Sequence, residues 1–304
     1  MSHLLSQLWL AQASEAGAVG ATADSIVSWL LGNGGALFSL INTVILVLTA
    51  IVEQLLNAPA PWLFALVVAL LGLWRVSAAF SLLSLLGLNL VQAMGLWEPM
   101  VSSLALVLTA SLLALAIGLP LGVLAARQRS IWQLTRPLLD LMQTMPAFVY
   151  LIPAVMLFST GAVPSVIATL IFAMPPVVRL TVLGIRQVPA DLIEAGRSFG
   201  CSEWQLLTKV QLPNALPTLM TGVNQTIMLA LSMVVIASMI GGGGLGDVVL
   251  RGIQQLNIGL GFEGGLAVVI LAVILDRLSQ SLSTPPSRSV RDRVRSLATL
   301  WRIR

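Results

Sequence analysis

The chain of 304 residues is 57% hydrophobic and only 9% charged, and its mean hydropathy is +0.96. Because soluble domains carry roughly 25% charged residues, this composition excludes a water-soluble globular protein and predicts helices embedded in a bilayer. The single cysteine and single histidine exclude an internal disulfide and a His/Cys metal centre. The net charge of +4 comes from basic residues that flank apolar runs, so it indicates membrane orientation rather than nucleic-acid binding.

The N-terminal region, residues 1–57, is predicted to contain a tail and an apolar helix at 36–56. This helix is long enough to cross a bilayer. However, Glu53, Gln54 and Asn57 lie near its end and two prolines follow, which favours a helix that lies at the membrane interface.

Seven membrane-spanning helices are predicted after it, since each crossing needs about 20 apolar residues. They lie at about 60–74, 77–94, 99–125, 138–158, 162–184, 216–240 and 263–282. Most lysines and arginines fall in alternate connections and at the C-terminus, which the positive-inside rule assigns to the cytoplasm, so the N-terminus is expected outside and the C-terminus inside. The expected organisation is a transmembrane hairpin at 58–97, a main bundle at 98–283 and a basic cytoplasmic tail at 284–304.

The main bundle is interrupted by a long polar loop at 188–213, on the predicted cytoplasmic face. Asp191 is expected to cap a short helix, with Glu194 at its third position as in a capping box. Gly200 is expected to end this helix, because glycine tolerates the left-handed conformation.

A second short helix is expected in the same loop, at 203–210, with Ser202 as its cap. Pro213 is expected to mark the point where the chain turns back toward the membrane. Two short helices divided by a glycine form a unit that is suited to docking a partner protein and coupling to it mechanically.

The residues of this loop resemble the EAA loop of ABC-importer permeases, at the spacing of that motif. The residues that the resemblance assigns to the ATPase contact are Asp191, Glu194, Ala195, Gly196, Gly200, Leu212 and Pro213. Gly196 stands where alanine is usual. Residues 138–153 and 222–240 also resemble the permeases of glycine betaine/proline betaine importers, and the likeness extends over about residues 58–282.

The resemblance implies the all-α transmembrane domain of a type I ABC importer in the bacterial inner membrane. It implies that two permease subunits form the pore, that two ATPase subunits dock on the EAA loops, and that an extracytoplasmic binding protein delivers the substrate. The implied activity is import of glycine betaine-type compatible solutes by alternating access. The chain is expected to bind no cofactor and to hydrolyse nothing, because it lacks a phosphate-binding loop; ATP and Mg²⁺ are used by the ATPase.

Polar side chains within the spans are candidates for the translocation pathway, because such groups face a bundle interior or a cavity. They are Gln143, Thr144, Tyr150, Asn224, Gln225, Thr226 and Ser232. Hydrogen bonding between helices explains each of them equally well. Four methionines are candidates for a soft apolar gate, for which ordinary packing is the alternative. They are Met145, Met228, Met233 and Met239.

Three alternative functions remain open at this point. The same architecture could import choline, carnitine or proline. An ion-coupled transporter or channel that works without ATP would need acidic residues at mid-span, and none is evident. An integral-membrane enzyme would need a constellation of histidine, cysteine or carboxylate side chains, which this sequence does not offer.

Overall fold

The computed structural model describes residues 18–283, and this part of the chain consists of helices joined by short connections. The helices are α1 (Ala18–Asn57), α2 (Pro61–Arg75), α3 (Ala78–Ala93), α4 (Trp97–Arg127), α5 (Arg129–Thr144), α6 (Ala147–Phe158), α7 (Ala162–Arg186), α8 (Ala190–Ser198), α9 (Glu203–Gln205), α10 (Leu212–Ala237), α11 (Gly244–Gln254) and α12 (Ile258–Ser283). A π-helical segment, Leu206–Gln211, joins α9 to α10, and a 3₁₀ turn, Ser238–Ile240, follows α10. The predicted tail at 284–304 lies outside the described residues.

Five helical stretches in residues 18–283 are long and apolar enough to cross a membrane. They are Gly32–Asn57, Trp97–Arg127, Ala162–Arg186, Glu203–Ile240 and Ile258–Leu282. The last four agree with predicted spans. The two helices of the predicted hairpin are present as α2 and α3, with 15 and 16 residues. At about 1.5 Å per residue they are only about 22–24 Å long, which is less than the thickness of the hydrocarbon core.

The span predicted at 138–158 is wrong as a single continuous helix. It consists of α5 and α6, which are bent by 102° relative to each other. Pro146 lies at the bend as the N-cap residue of α6, and it has no amide hydrogen with which to continue the hydrogen-bond ladder of α5. Counting this bent pair as one crossing gives six apolar spans in the described residues. Five of them are predicted spans and the sixth is part of α1, whereas the two short helices of the predicted hairpin are not among the six.

The core of the bundle is built around α7, which packs between α4 and α10. Glycines permit the close approach. A Cβ atom added at Gly118 would lie 2.5 Å from Val177 Cγ1, and one at Gly122 would lie 2.6 Å from Thr181 Cβ. On the other side of α7, a Cβ atom at Gly222 would lie 3.2 Å from the Cα of Val177. Within lipid, where apolar burial gives little drive for helix association, such close packing holds the helices together.

The end of the bundle opposite the loop at 188–213 is closed by a glycine-rich turn, 241–244. Three of its glycines have φ between +72° and +84°, a region that favours glycine. The N–H of Gly161 donates to the carbonyl of Ile240 at 3.0 Å, and the N–H of Leu245 donates to Ser103 Oγ at 2.8 Å. The turn is therefore fixed against both α4 and α7.

Helix α1 contacts the bundle at this same end. The ring of Phe38 packs edge-on against Phe158, with 5.5 Å between ring centroids. After α1 ends at Asn57, Phe64 in the first turn of α2 packs against Trp97, also at 5.5 Å. Phe38 and Asn57 are about 28 Å apart along a helix axis. The contacts of Phe38 and of the segment after Asn57 both lie at one end of the bundle, which favours a helix that lies at the membrane interface. That position stays a prediction.

Candidate functional site

The loop at 188–213 begins with α8, which starts directly after Pro189. Pro189 is the N-cap residue, and within the described part of the chain no side chain caps this helix. The capping role predicted for Asp191 and Glu194 is therefore wrong. Proline has a fixed φ and needs no amide partner at a helix start, which explains why the helix begins before Asp191. Asp191 lies in the first turn, where its charge interacts favourably with the helix dipole.

The C-terminal end of α8 has the hydrogen bonds of a Schellman motif. Gly200 has φ +75°, in the left-handed region. Its N–H donates to the carbonyl of Arg197 at 2.9 Å, and the N–H of Cys201 donates to the carbonyl of Gly196 at 3.1 Å. These bonds satisfy carbonyl groups that the helix end would otherwise leave free. The predicted conformation of Gly200 is confirmed.

Gly196 is buried on the face of α8 that packs against the π-helical segment. A Cβ atom added here would lie 2.8 Å from Leu206 Cδ1 and 3.5 Å from Val210 Cγ2. The nearer atom is the end of a flexible side chain, which another rotamer can move aside. The geometry of the loop is therefore compatible with the alanine that the EAA motif usually carries.

The second half of the loop starts with the predicted cap. Ser202 Oγ accepts the N–H of Gln205 at 3.3 Å, and the N–H of Ser202 donates to Gln205 Oε1 at 2.9 Å, which completes a capping box. The predicted turn at Pro213 is wrong, because the helix continues into α10. Leu212 donates its N–H to Leu207, five residues back, and this wider turn lies immediately before the proline that cannot donate.

The loop is anchored to the membrane helices by apolar contacts and by ion pairs. Leu212 packs against a buried cluster that includes Ile185, so this residue of the motif is structural. Glu203 lies 3.4 Å from Arg197 and 3.6 Å from Arg127 at the end of α4. Since exposed ion pairs contribute only about 0–1 kcal/mol, apolar packing provides most of the anchoring.

The free surface of the loop presents several large apolar side chains. Glu194 and Ala195 are exposed on α8, and Leu192 is exposed beside them. Phe199 is 89% exposed and Trp204 is 67% exposed. Large apolar side chains that are grouped on an exposed surface often mark an interaction site. The surface formed by Leu192, Glu194, Ala195 and Phe199, here called the coupling surface, is therefore suited to a protein partner, whereas Trp204 lines an apolar groove with Leu119 and Leu216 of the membrane helices.

A second candidate surface runs along α10. Its members recur every three or four residues and lie on one face of the helix. They are Thr221, Gln225, Met228 and Ser232, followed seven residues later by Met239 in the 3₁₀ turn, and all are exposed except the half-buried Met228. This α10 stripe contains three of the predicted pathway or gate residues on its open face and a fourth, Met228, at half exposure. Thr221 was missed by sequence reasoning, although its spacing of four from Gln225 is the signal that could have found it.

The remaining candidates on α10 lie elsewhere. Thr226 and Met233 directly follow Gln225 and Ser232, about 100° around the helix axis, and both are buried. Met233 packs against Tyr150 and Ala168. The hydroxyl of Thr226 has no hydrogen-bond partner among residues 18–283. In this conformation neither side chain reaches the open face of the α10 stripe.

Asn224 is engaged between helices. Its side-chain oxygen accepts the hydroxyl proton of Ser279, and its amide lies 3.5 Å from Asp276 Oδ1. Gln280 donates to the same carboxylate oxygen at 2.7 Å. Asn224 therefore links α10 to α12 by hydrogen bonds, which is the alternative role given for it in place of a pathway role.

The break between α5 and α6 holds the other candidates. Gln143 and Thr144 are exposed at the end of α5, and Met145 is half-buried at the break. Tyr150 is buried, and its hydroxyl donates to the backbone carbonyl of Met142. Its ring packs against Phe172 of α7 with 6.4 Å between centroids.

A third open face was not predicted from the sequence. Phe148, Ile152 and Met156 are spaced by four residues on α6 and are 52%, 62% and 48% exposed. Like the α10 stripe, this face of α6 carries no charged side chain. Among residues 18–283, no group of three or more histidine, cysteine or carboxylate side chains is placed to hold a metal ion.

Comparison with known proteins covers most of the chain. It is 56% identical over 237 residues to the glycine betaine/proline betaine transport system permease protein ProW of Escherichia coli (strain K12), covering 78% of this chain and 66% of that protein. It is 46% identical over 260 residues to the glycine betaine transport system permease protein OpuAB of Bacillus subtilis (strain 168), covering 85% and 92%. The chain thus spans slightly less than two thirds of the ProW protein that it matches and most of OpuAB.

Among solved structures, a chain of the MetNI methionine ABC transporter in an inward-facing conformation superposes with a TM-score of 0.57. The match covers 62% of this chain and 94% of that chain at 21% identity, and at this identity it shows the fold alone. The predicted all-α, type I importer fold is thereby confirmed. Residues 118–284 match the family model described as the binding-protein-dependent transport system inner membrane component. The chain belongs to this family of inner-membrane transport components.

Proposed function

We propose that this chain is the membrane-spanning permease subunit of an ATP-driven importer of glycine betaine or proline betaine-type solutes. The observation that carries the proposal is the 46% identity to a glycine betaine permease over 92% of that protein's length. The 260 matched residues are enough to include the bundle and the loop at 188–213. The chain itself moves substrate and performs no chemistry, so ATP is hydrolysed by a separate subunit.

The coupling surface is the proposed contact with that ATPase. Phe199 supplies an apolar anchor, and Glu194 supplies a charge beside it. The loop is continuous with α10 through the π-helical segment, so displacement of α8 and α9 by a partner is passed directly into a membrane helix. Two ATPase subunits, which use ATP and Mg²⁺, serve two copies of this chain.

The α10 stripe and the open face of α6 are the proposed pathway surface, completed by a second copy of the chain. A single copy leaves these faces uncovered, and a pore needs walls on all sides. The α10 stripe carries no charged side chain, which suits a solute without net charge and with no proton to donate. An extracytoplasmic binding protein supplies affinity and delivers the solute to this surface.

A second substrate class remains an alternative, because relatives of this chain are named as permeases for different solutes. One is a glycine betaine/carnitine permease, GbuB of Listeria monocytogenes serotype 1/2a (strain 10403S), 48% identical over 250 residues. Carnitine is therefore the first alternative, ahead of choline and proline. On this proposal, importers of the four solutes have the same architecture, and the binding protein selects the substrate.

The test is uptake of labelled glycine betaine, carnitine, choline and proline by vesicles that contain this chain, its ATPase and its binding protein. We expect uptake of glycine betaine that requires ATP and all three components. Uptake by this chain alone, without ATP, would contradict the proposal. A preference for carnitine, choline or proline would replace the substrate while keeping the mechanism.

A further inference from the structure

The break between α5 and α6 creates an unpaired backbone group. In a continuing helix the carbonyl of Met142 would accept the N–H of residue 146, four positions ahead. Residue 146 is a proline and has no N–H to give. A carbonyl left unpaired in a buried site is costly, so the break needs another donor.

Tyr150 supplies that donor. Its hydroxyl donates to the Met142 carbonyl, and its side chain is only 6% exposed. It is also the single tyrosine of the whole chain. The bond therefore joins the two halves of the broken helix across the proline.

The bond depends on the bend. In a straight helix residues 142 and 150 would be about 12 Å apart along the axis, which is well beyond the length of a tyrosine side chain. The hydroxyl reaches the carbonyl because α5 and α6 are bent by 102°. The bond and the bend consequently stabilise each other.

The other contacts of the two halves leave this role to Tyr150. On α5, Asp140 pairs with Arg179 of α7, and Leu139 is buried against the same helix. On α6, Leu151 and Ala154 pack against α7 near Ala168. Each half is thus held to α7 separately, whereas the tyrosine hydroxyl bonds one half directly to the other.

We propose that Tyr150 is a positioning residue that holds the bend between α5 and α6 and thereby places the open face of α6 in the translocation pathway. This inference rests on the proposed function. It assigns to the hydroxyl a structural task instead of the contact with substrate that its place among the pathway candidates suggested. The ring stays buried against Phe172, while Phe148 and Ile152 face the pathway.

The test replaces the hydroxyl and measures the bend directly. Spin labels at Leu134→Cys and Met156→Cys, in a Cys201→Ser background, report the distance across the break in the assembled transporter. Tyr150→Phe keeps the ring and removes only the bond, so we expect a broader and shifted distance distribution. In the chain without the two label cysteines, since Met156 lies on the proposed pathway surface, we expect Tyr150→Phe to lower the maximal uptake rate at least about fivefold with little change in KM, because the binding protein sets affinity. An unchanged distance distribution, or unchanged uptake despite an altered one, overturns the proposal.

A control and a second variant make the result specific. Ser84→Ala removes another buried hydroxyl, which donates to a helix carbonyl at 2.8 Å away from the break, and should change neither readout. Pro146→Ala gives residue 146 an N–H, which reaches the Met142 carbonyl only when α5 continues through this residue, so this variant alone is expected to reduce the bend. In that background Tyr150→Phe should cause no further change in distance, because the carbonyl already has a partner. An equal effect of Tyr150→Phe in both backgrounds overturns the proposal. Loss of uptake in the unsubstituted chain would refute the proposed function instead and leave the distance measurement interpretable.

Discussion

At the scale of single residues, the loop at 188–213 contains one glycine that is needed for its backbone conformation and another that is needed for its small size. Gly200 has φ +75°, yet no heavy atom of the described residues lies within 4 Å of a Cβ built there. Gly196 has an ordinary helical conformation but is closely packed. The two glycines of the motif are therefore required for different reasons, and substitutions can distinguish them.

Replacing Gly200 by valine should weaken coupling. A β-branched residue in the left-handed region costs at least about 1–2 kcal/mol, and the Schellman bonds that end α8 would be lost. We expect reduced ATP-driven uptake at normal membrane levels. Gly200→Asn is the matched control, because asparagine tolerates this region and should retain most uptake. Equal uptake by the two variants would show that the left-handed turn is dispensable.

Replacing Phe199 by alanine should weaken binding of the ATPase without affecting the fold. The side chain is 89% exposed and contributes little to stability in a single chain, whereas truncation of an apolar anchor at an interface costs about 2 kcal/mol or more. Copurification of the ATPase with the permease measures the effect. Leu256→Ala is the control, since Leu256 is 88% exposed near the start of α12, outside the coupling surface. If both variants retain the ATPase equally, Phe199 is not an anchor.

At the scale of elements, the packing of α7 against α4 and α10 depends on small residues. Gly122→Ala places a methyl group 2.6 Å from Thr181 Cβ, and the β-branched threonine has little freedom to move. We expect a destabilisation of about 1–3 kcal/mol, seen as a lower unfolding midpoint of the purified chain. Gly35→Ala has open space around it and should leave the midpoint unchanged or raise it. A midpoint for Gly122→Ala as high as that for Gly35→Ala would refute this account.

The same scale shows what the sequence could predict. Hydrophobic length located the four long helices of the bundle, and glycine and serine chemistry located the end of α8 and the cap of α9. The start of α8 was misassigned because Pro189 already suits a helix start, so Asp191 was not needed. The bend at Pro146 and the continuity of the helix through Pro213 were not predictable from proline alone. In the first case the hydroxyl of Tyr150, four residues after the proline, bonds across the break. In the second case a π-helical turn lets the helix continue through the proline.

The candidate pathway shows a similar limit. Residue type selected Gln225 and Ser232 as candidates together with Thr226, because polarity does not reveal which face of a helix is covered. Helical spacing assigns each residue to a covered or an open face once the position of the neighbouring helix is known. Tyr150 and Asn224 were chosen for polarity, and both are hydrogen-bonded inside the bundle.

At the scale of the whole molecule, the proposed pathway lies between two copies of the chain. In a Cys201→Ser background, Gln225→Cys and Ser232→Cys should react with a small water-soluble thiol reagent in the assembled transporter. Thr226→Cys should react at least about tenfold more slowly, because its side chain is buried and thiol reactivity requires access. Bound substrate should slow the reaction at the first two positions. Equal rates at all three positions would exclude the α10 stripe as a water-filled pathway.

The helical run from Glu203 to Ile240 is continuous, so a tilt at one of its ends moves the other end. Its 38 residues extend about 57 Å at about 1.5 Å each. A rigid rod of that length, tilted by about 5° at its base, moves its far tip by about 5 Å, close to the pitch of one helical turn. That tip carries the turn at 241–244, which is hydrogen-bonded to α4 and α7. Because that turn is hydrogen-bonded to α4 and α7, a tilt at the base has to carry these two helices along with α10, so the three helices move as one body.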